Sequence, residues 1–127
     1  MITESNIILD TIQINQKIKR IAYQIYENNT TEKEVIIAGI IGNGYIFAEK
    51  LVASLQEISS LNVIICQVNI NKKKPLEKVS TSLDINEYKN KSLVLVDDVL
   101  NSGTTLIYGV KHFLEVPLKR FKTAVLV

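Results

Sequence analysis

The chain has 127 residues, of which 46% are hydrophobic and 22% charged, and this indicates one globular domain rather than an intrinsically disordered chain. Its 15 basic and 13 acidic residues leave a formal charge of +2, so bulk charge does not by itself indicate binding to nucleic acid or to an anionic membrane. The start of the chain lacks a signal-peptide pattern, no apolar run approaches the ~20 residues that span a bilayer, and the one cysteine cannot form an internal disulfide. We therefore expect a cytoplasmic protein with no membrane segment.

The first half of the chain alternates between helical and strand patterns. Asp10 is a candidate N-cap of a first helix, with Gln13 as its capping-box partner. The apolar stripe of that helix consists of Ile14, Ile18, Ile21, Ala22 and Ile25. Residues 35–40 are apolar throughout, as a central parallel strand must be. Residues 42–44 are predicted to turn the chain into a second amphipathic helix that runs to Ile58, and residues 62–68 form a second predicted strand.

The second half begins with a polar segment, residues 69–90, which predicts a loop with a short strand near residues 79–85. Residues 92–98 form a third firm strand. A third helix is predicted to start at Thr104 or Thr105 and to end at Pro117. Its expected inward residues are Leu106, Ile107, Val110, Phe113 and Leu114. Residues 123–127 form the last predicted strand.

Strands that alternate with helices imply right-handed βαβ units and a parallel sheet with helices on both faces. In such sheets ligands bind beyond the carboxyl ends of the strands. Two segments here, residues 42–44 and 101–105, leave strand ends and enter helices. We expect them to lie side by side.

The most informative motif is the end of the third strand, where apolar residues stop at Asp97 and Asp98 and a small polar segment, residues 101–105, follows. A solvated strand end would explain two adjacent carboxylates by themselves. The following hydroxyls, the glycine and the helix N-terminus favour a phosphate, while the carboxylates suit ribose hydroxyls. The motif therefore predicts a site for a phosphorylated ribose.

The whole pattern resembles the phosphoribosyl pyrophosphate signature of type I phosphoribosyltransferases. Residues 7–10, 20–22 and 25–27 resemble the N-terminal helix of the pyrimidine-operon attenuator/uracil phosphoribosyltransferase family. Residues 37–40 and 44–51 are similar to that family's first strand, pyrophosphate loop and following helix, and residues 122–127 to its strand after the signature helix. The resemblance implies an α/β fold with a parallel sheet flanked by helices on both faces, a mobile loop and a reduced or absent C-terminal hood.

The resemblance also implies an activity. A phosphoribosyltransferase with Mg²⁺ would transfer 5-phosphoribosyl from phosphoribosyl pyrophosphate to a nucleobase, with a pyrimidine such as uracil favoured, and would release pyrophosphate. A homodimer is expected. Two alternatives remain open: a nucleotide-sensing, RNA-binding regulator of pyrimidine genes, with a basic patch such as Lys17, Lys19 and Arg20, or a catalytically weak domain that binds phosphoribosyl pyrophosphate.

The site residues follow from the same resemblance. The expected catalytic residues are Asp97, Asp98, Lys72, Lys73 and Lys74, the lysines being on a loop that could close over the site. The ribose 5-phosphate ligands would be Asp97, Asp98, Val99, Leu100, Asn101, Ser102, Gly103, Thr104 and Thr105. The pyrophosphate ligands would be Ile41, Gly42, Asn43 and Gly44. Asp97 would also hold the metal indirectly, through the ligand or through water.

Three features depart from the resembled enzymes. Asn43 stands where their pyrophosphate loop usually carries a basic residue, often arginine. Stabilisation of the leaving group would then be weaker, or would come from the lysine loop. Asn101 stands where 6-oxopurine enzymes place a carboxylate base, and an amide cannot take a proton. The family continues past the last strand into a segment that helps cover the base. Residues 1–127 are therefore predicted to be one domain without that extension, and base specificity stays open.

Overall fold

Helices and strands alternate along the chain in a computed structural model, which describes residues 11–71, 78–99 and 104–126. In chain order the elements are α1 (Thr11–Asn28), β1 (Glu34–Ile40), α2 (Asn43–Ile58), β2 (Asn62–Asn69), β3 (Ser80–Thr81), α3 (Ile85–Tyr88), β4 (Ser92–Asp97), α4 (Thr104–Phe113) and β5 (Arg120–Val125). The bounds agree with the predicted ones within a few residues for most elements. The predicted N-cap Asp10 lies outside the described residues.

The strands form one sheet in the order β3-β2-β1-β4-β5. β1 runs parallel to β2 and β4, and β4 runs parallel to β5. The predicted parallel sheet is confirmed for these four strands. The short strand expected near residues 79–85 is β3, which pairs antiparallel with the end of β2. Because β1 and β4 are neighbours, their carboxyl ends open side by side.

The core has two layers, one on each face of the sheet. On one face α1 and α2 bury Ile18, Ala22, Phe47 and Leu51, among others, against the strands. On the other face Tyr88 of α3 and Phe113 of α4 pack edge to face, with ring centroids 5.2 Å apart. Every residue of β4 and all but the first of β1 are buried, which matches the apolar runs of residues 93–96 and 35–40. The prediction of helices on both faces is therefore correct.

The orientation of α4 differs from the predicted one. Leu106, Val110 and Phe113 pack inward as expected, but Ile107 and Leu114 are 63% and 62% exposed. Gly109 explains the difference, because a Cβ at that position would lie 3.0 Å from Leu95 Cδ2. This close approach turns the face that carries residues 106, 109, 110 and 113 to the sheet and leaves positions 107 and 114 outside. Both inward assignments were wrong.

Two boundaries and one short helix also differ from prediction. α4 ends at Phe113, four residues before Pro117, through a turn in which Glu115 N–H donates to His112 O (3.3 Å). β5 begins at Arg120, three residues before the predicted start, since an edge strand can carry charged side chains that hide the strand pattern. α3 was missed within the polar segment, although Asp84 and Glu87 form a capping box that the sequence spacing displays.

Cys66 is a buried free cysteine in β2. Burial raises the pKa of its thiol, so the reactive thiolate is scarce near neutral pH. Within the described ranges, none of the helices has the length and hydropathy needed to cross a membrane.

Candidate active site at the carboxyl ends of β1 and β4

The exit of β1 is held against β2. Ile41 N–H donates to Val68 O (2.8 Å), and the chain then enters α2 at Asn43. The sequence placed residues 42–44 in a turn, but Asn43 and Gly44 already belong to the first helical turn. The turn is therefore made by Gly42, whose φ of 100° is a conformation that residues with a Cβ rarely adopt.

The N-terminus of α2 opens at this exit. Tyr45 and Ile46 N–H both donate to Gly42 O, at 3.1 and 3.3 Å. Gly42 makes no side-chain cap, so the first N–H groups of α2 have no helical acceptor. Backbone N–H groups and the positive end of the helix dipole favour an anion at such a position.

Asp97, the last residue of β4, lies directly against this helical turn. A Cβ built on Gly44 would be 2.7 Å from Asp97 Oδ1, 3.3 Å from Asp97 Cα and 3.4 Å from Val96 O. The structure therefore brings the predicted pyrophosphate loop and the predicted ribose motif into contact, as the neighbouring strand ends implied.

The two aspartates have different surroundings. Asp97 is only 5% exposed, and its Oδ1 accepts a hydrogen bond from Asp98 N–H (2.9 Å). Asp98 lies beyond the strand and is half-buried. Two apolar side chains, Ile41 and Val99, are each 39% exposed beside the same strand ends. The site therefore combines one buried carboxylate, one more accessible carboxylate and two partly exposed apolar side chains.

Only some of the predicted ligands lie within the described part of the chain. Ile41, Gly42, Asn43 and Gly44 are at the end of β1, and Asp97, Asp98 and Val99 at the end of β4. Thr104 begins α4, and Thr105 is half-buried in its first turn. The predicted loop residues Leu100, Asn101, Ser102 and Gly103, and the lysines Lys72, Lys73 and Lys74, lie outside the described residues.

Gly39 supports the site and was not singled out from the sequence. A Cβ there would lie 2.7 Å from Ala48 Cβ, 2.8 Å from Tyr45 Cα and 3.0 Å from Gly44 O. The start of α2 can rest on β1 only because position 39 has no side chain. The sequence signal was a glycine inside an apolar strand, a pattern that often marks the close approach of another backbone.

The charge of the site is negative at the strand ends. Among the described residues 41–44 and 97–99, the charged side chains are Asp97 and Asp98. The described parts of the chain contain no group of three or more His, Cys, Asp or Glu side chains that could enclose a metal ion. Carboxylate oxygens such as those of Asp97 and Asp98 are donors that Mg²⁺ commonly uses.

A family model for the phosphoribosyl transferase domain matches residues 4–127. The chain therefore belongs to the type I phosphoribosyltransferase family. Within that family it is similar to curated proteins named bifunctional protein PyrR. It is 31% identical to the Fusobacterium nucleatum protein over 121 residues, which are 90% of this chain and 68% of that protein. It is 28% identical to the Streptococcus gordonii protein over 103 residues, which are 78% of this chain and 59% of that protein.

Solved structures share the fold. A hypoxanthine-guanine phosphoribosyltransferase from Bacillus anthracis superposes with a TM-score of 0.76 at 23% identity, over 91% of this chain and 66% of that one. A hypoxanthine phosphoribosyltransferase from Staphylococcus aureus gives a TM-score of 0.76 at 16% identity, over 98% of this chain and 70% of that one. These comparisons confirm the predicted family and its α/β fold. The chain spans about three fifths to two thirds of several of these proteins.

Proposed function

We propose that this chain binds phosphoribosyl pyrophosphate across the carboxyl ends of β1 and β4. It transfers the 5-phosphoribosyl group to a nucleobase, with a pyrimidine such as uracil favoured, and releases pyrophosphate. The observation that carries the proposal is the contact between Gly44 and Asp97, which joins the pyrophosphate loop to the ribose motif. The similarity to proteins named PyrR and the amide at position 101 support a pyrimidine over a 6-oxopurine.

Each part of the site has a role in this proposal. Asp97 and Asp98 act on the ribose hydroxyls, while residues 101–105 and the N-terminus of α4 take the 5′-phosphate. Residues 41–44 offer backbone N–H groups to pyrophosphate, and Lys72, Lys73 and Lys74 supply positive charge from their loop. In the reaction the bond from ribose C1 to the pyrophosphate oxygen breaks and its electron pair leaves with pyrophosphate. A base nitrogen forms the new bond to C1, and the proton that it carried passes to solvent or to the released pyrophosphate.

The residues fit a magnesium ion that is bound mainly by the substrate. Asp97 and Asp98 are hard oxygen donors at the site, and Mg²⁺ commonly uses one or two carboxylates together with phosphates and water. Asp97 would act through the ligand or through water, since its Oδ1 already accepts the Asp98 N–H. When bound, the ion would offset charge that builds up on the leaving pyrophosphate.

The test is pyrophosphate release from magnesium and phosphoribosyl pyrophosphate across a panel of bases, with binding measured by calorimetry. Asp98→Asn is expected to weaken phosphoribosyl pyrophosphate binding by about 10- to 100-fold, the order of a lost charge-assisted hydrogen bond. Glu49→Gln on the exposed side of α2 changes the charge equally and should leave binding unchanged. Unchanged affinity in Asp98→Asn would contradict the site assignment.

A catalytically weak binding domain is the second candidate. Ile41 and Asn43 place an apolar and a neutral side chain in the pyrophosphate loop, so the described part of the site has no cation to stabilise the leaving group. This candidate predicts binding of phosphoribosyl pyrophosphate without product. Robust nucleotide formation with any base in the panel would exclude it.

A nucleotide-sensing RNA-binding regulator is the third candidate. The proteins named PyrR are described as bifunctional, and Lys19 and Arg20 are exposed on α1 with Lys17 half-buried beside them. A gel-shift titration with a pyrimidine leader RNA at two salt concentrations tests it, because phosphate contacts make RNA affinity strongly salt-dependent. A homodimer and a cytoplasmic location belong to the same set of proposals.

A further inference from the structure

The two aspartates of the ribose motif do not have equivalent positions. Asp97 is almost fully buried, and one of its carboxylate oxygens accepts the backbone N–H of Asp98. The same oxygen is the atom that a Cβ on Gly44 would meet at 2.7 Å. Asp98 is more accessible and follows the end of the strand. One carboxylate oxygen of Asp97 is therefore directed at the protein, towards the start of α2.

The start of α2 is held by contact from two neighbouring strands. Gly39 of β1 lies beneath it, and Asp97 of β4 lies beside Gly44. Gly44 has no positive φ, so its backbone conformation would accept an alanine. The contact with Asp97 is what excludes a side chain at this position. Gly44 is the second residue of α2, in the turn whose N–H groups lack helical acceptors. A carboxylate is favoured next to such a turn.

We propose that Asp97 is a positioning residue, which holds the first turn of α2, and with it the pyrophosphate loop, against the ribose motif. Asp98 then provides the main carboxylate contact to the ribose hydroxyls. This inference rests on the proposed function and divides the roles that the sequence assigned equally to both aspartates. It links the two halves of the substrate site through one side chain.

Inorganic pyrophosphate is a diagnostic ligand for this role of Asp97, because it contains no ribose. A carboxylate that served only the ribose hydroxyls would not support pyrophosphate binding. Its removal would leave that binding unchanged, or would strengthen it by taking a negative charge away from a polyanion. Removal of a carboxylate that positions the loop would instead weaken pyrophosphate binding, because the N–H groups of α2 would lose their alignment.

The experiment measures binding of inorganic pyrophosphate and of ribose 5-phosphate by calorimetry, each with and without magnesium. Asp97→Asn is expected to weaken pyrophosphate binding by about tenfold in both conditions, the order of a helix-terminal charge interaction. Asp98→Asn is the matched control, with the same change of charge one residue away. It should weaken ribose 5-phosphate binding and leave pyrophosphate binding unchanged or tighter. The metal-free measurement separates loop positioning from loss of a metal contact.

Gly44→Ala tests the same contact from the side of α2. Thermal unfolding shows whether Asp97→Asn folds, and Gly44→Ala keeps the proposal testable if it does not. It too should weaken pyrophosphate binding. Pyrophosphate affinity that stays the same or rises in folded Asp97→Asn, or that is unchanged in Gly44→Ala, would overturn the assignment of Asp97. An unaltered chain that binds neither ligand would instead contradict the proposed function itself, and the role of Asp97 would fall with it.

Discussion

The hydroxyl of Ser92 donates a buried hydrogen bond to Asn29 Oδ1, which joins the residue after α1 to the first residue of β4. Asn29 Nδ2 also donates to Ile25 O (2.7 Å), so the amide closes the end of α1 as well. Both side chains are only 3% exposed. This pair stabilises the end of the sheet opposite the site.

Removal of the Asn29 amide should therefore destabilise the fold. Asn29→Ala leaves the Ser92 hydroxyl and the Ile25 carbonyl without their partner, and we expect a loss of about 1–3 kcal/mol in the free energy of unfolding. Urea denaturation measures it. Asn28→Ala, at the exposed last residue of α1, is the control and should change stability by less than about 0.5 kcal/mol. In the double variant with Ser92→Ala the losses should be less than additive.

Gly39→Ala should be more costly than an ordinary glycine substitution. Its Cβ would come within 2.8 Å of Tyr45 Cα and 2.7 Å of Ala48 Cβ, and neither atom can rotate away. We expect a loss of about 2–3 kcal/mol in denaturation experiments. Gly109→Ala is the control, because its nearest atom is the end of the flexible Leu95 side chain, at 3.0 Å. Its cost should be offset by helix propensity and stay within about 1 kcal/mol. Equal effects at both positions would contradict this distinction.

Glu32 should make stability depend on pH. Its carboxylate accepts a hydrogen bond from Lys119 Nζ (3.1 Å) and pairs with Arg120 Nε (3.4 Å), and these cations hold the pKa of Glu32 below its usual value of 4.5. Because the folded pKa is the lower one, the stabilisation is present above pH 4.5 and is lost as the pH falls through the folded pKa.

The measurement for Glu32 is the difference in unfolding free energy between the unaltered chain and Glu32→Gln across a pH series. Glu32→Gln should be destabilising near neutral pH, and the difference should shrink as the pH falls below 4.5. Glu57→Gln, at an exposed position on α2, serves as the control. A difference that does not change with pH would show that the ion pair contributes nothing through its charge.

Asn43→Arg should strengthen pyrophosphate binding. Asn43 is exposed in the first turn of α2, next to the loop proposed for pyrophosphate. A cation at this position would add charge-assisted hydrogen bonds, with an expected gain of about fivefold at low salt and less at high salt. Calorimetry at two salt concentrations checks it, and Asn43→Gln is the neutral control. No gain in Asn43→Arg would argue against this loop as the pyrophosphate site.

The elements that could be predicted from the sequence are the buried ones that consist mainly of a continuous run of apolar residues. β1 and β4 are buried on both faces, so almost every residue is apolar. β5 lies at an edge with exposed Arg120 and Lys122, so its first half has no such pattern. α4 has apolar residues on several sides, and the close contact between Gly109 and Leu95 selects the inward face. Helical spacing alone could not select it.

The amino-acid sequence specifies the family and the chemical groups of the candidate site, which are adjacent carboxylates at a strand end and a glycine-containing exit from β1. These features are local, since each depends on neighbouring residues and on the period of the element that carries them. The difference between the two carboxylates depends instead on how distant parts of the chain pack together. Asp97 is buried against Gly44 because β1 and β4 are adjacent, whereas Asp98 extends past the sheet. That difference arises from contacts between residues more than 50 positions apart, which no local pattern encodes.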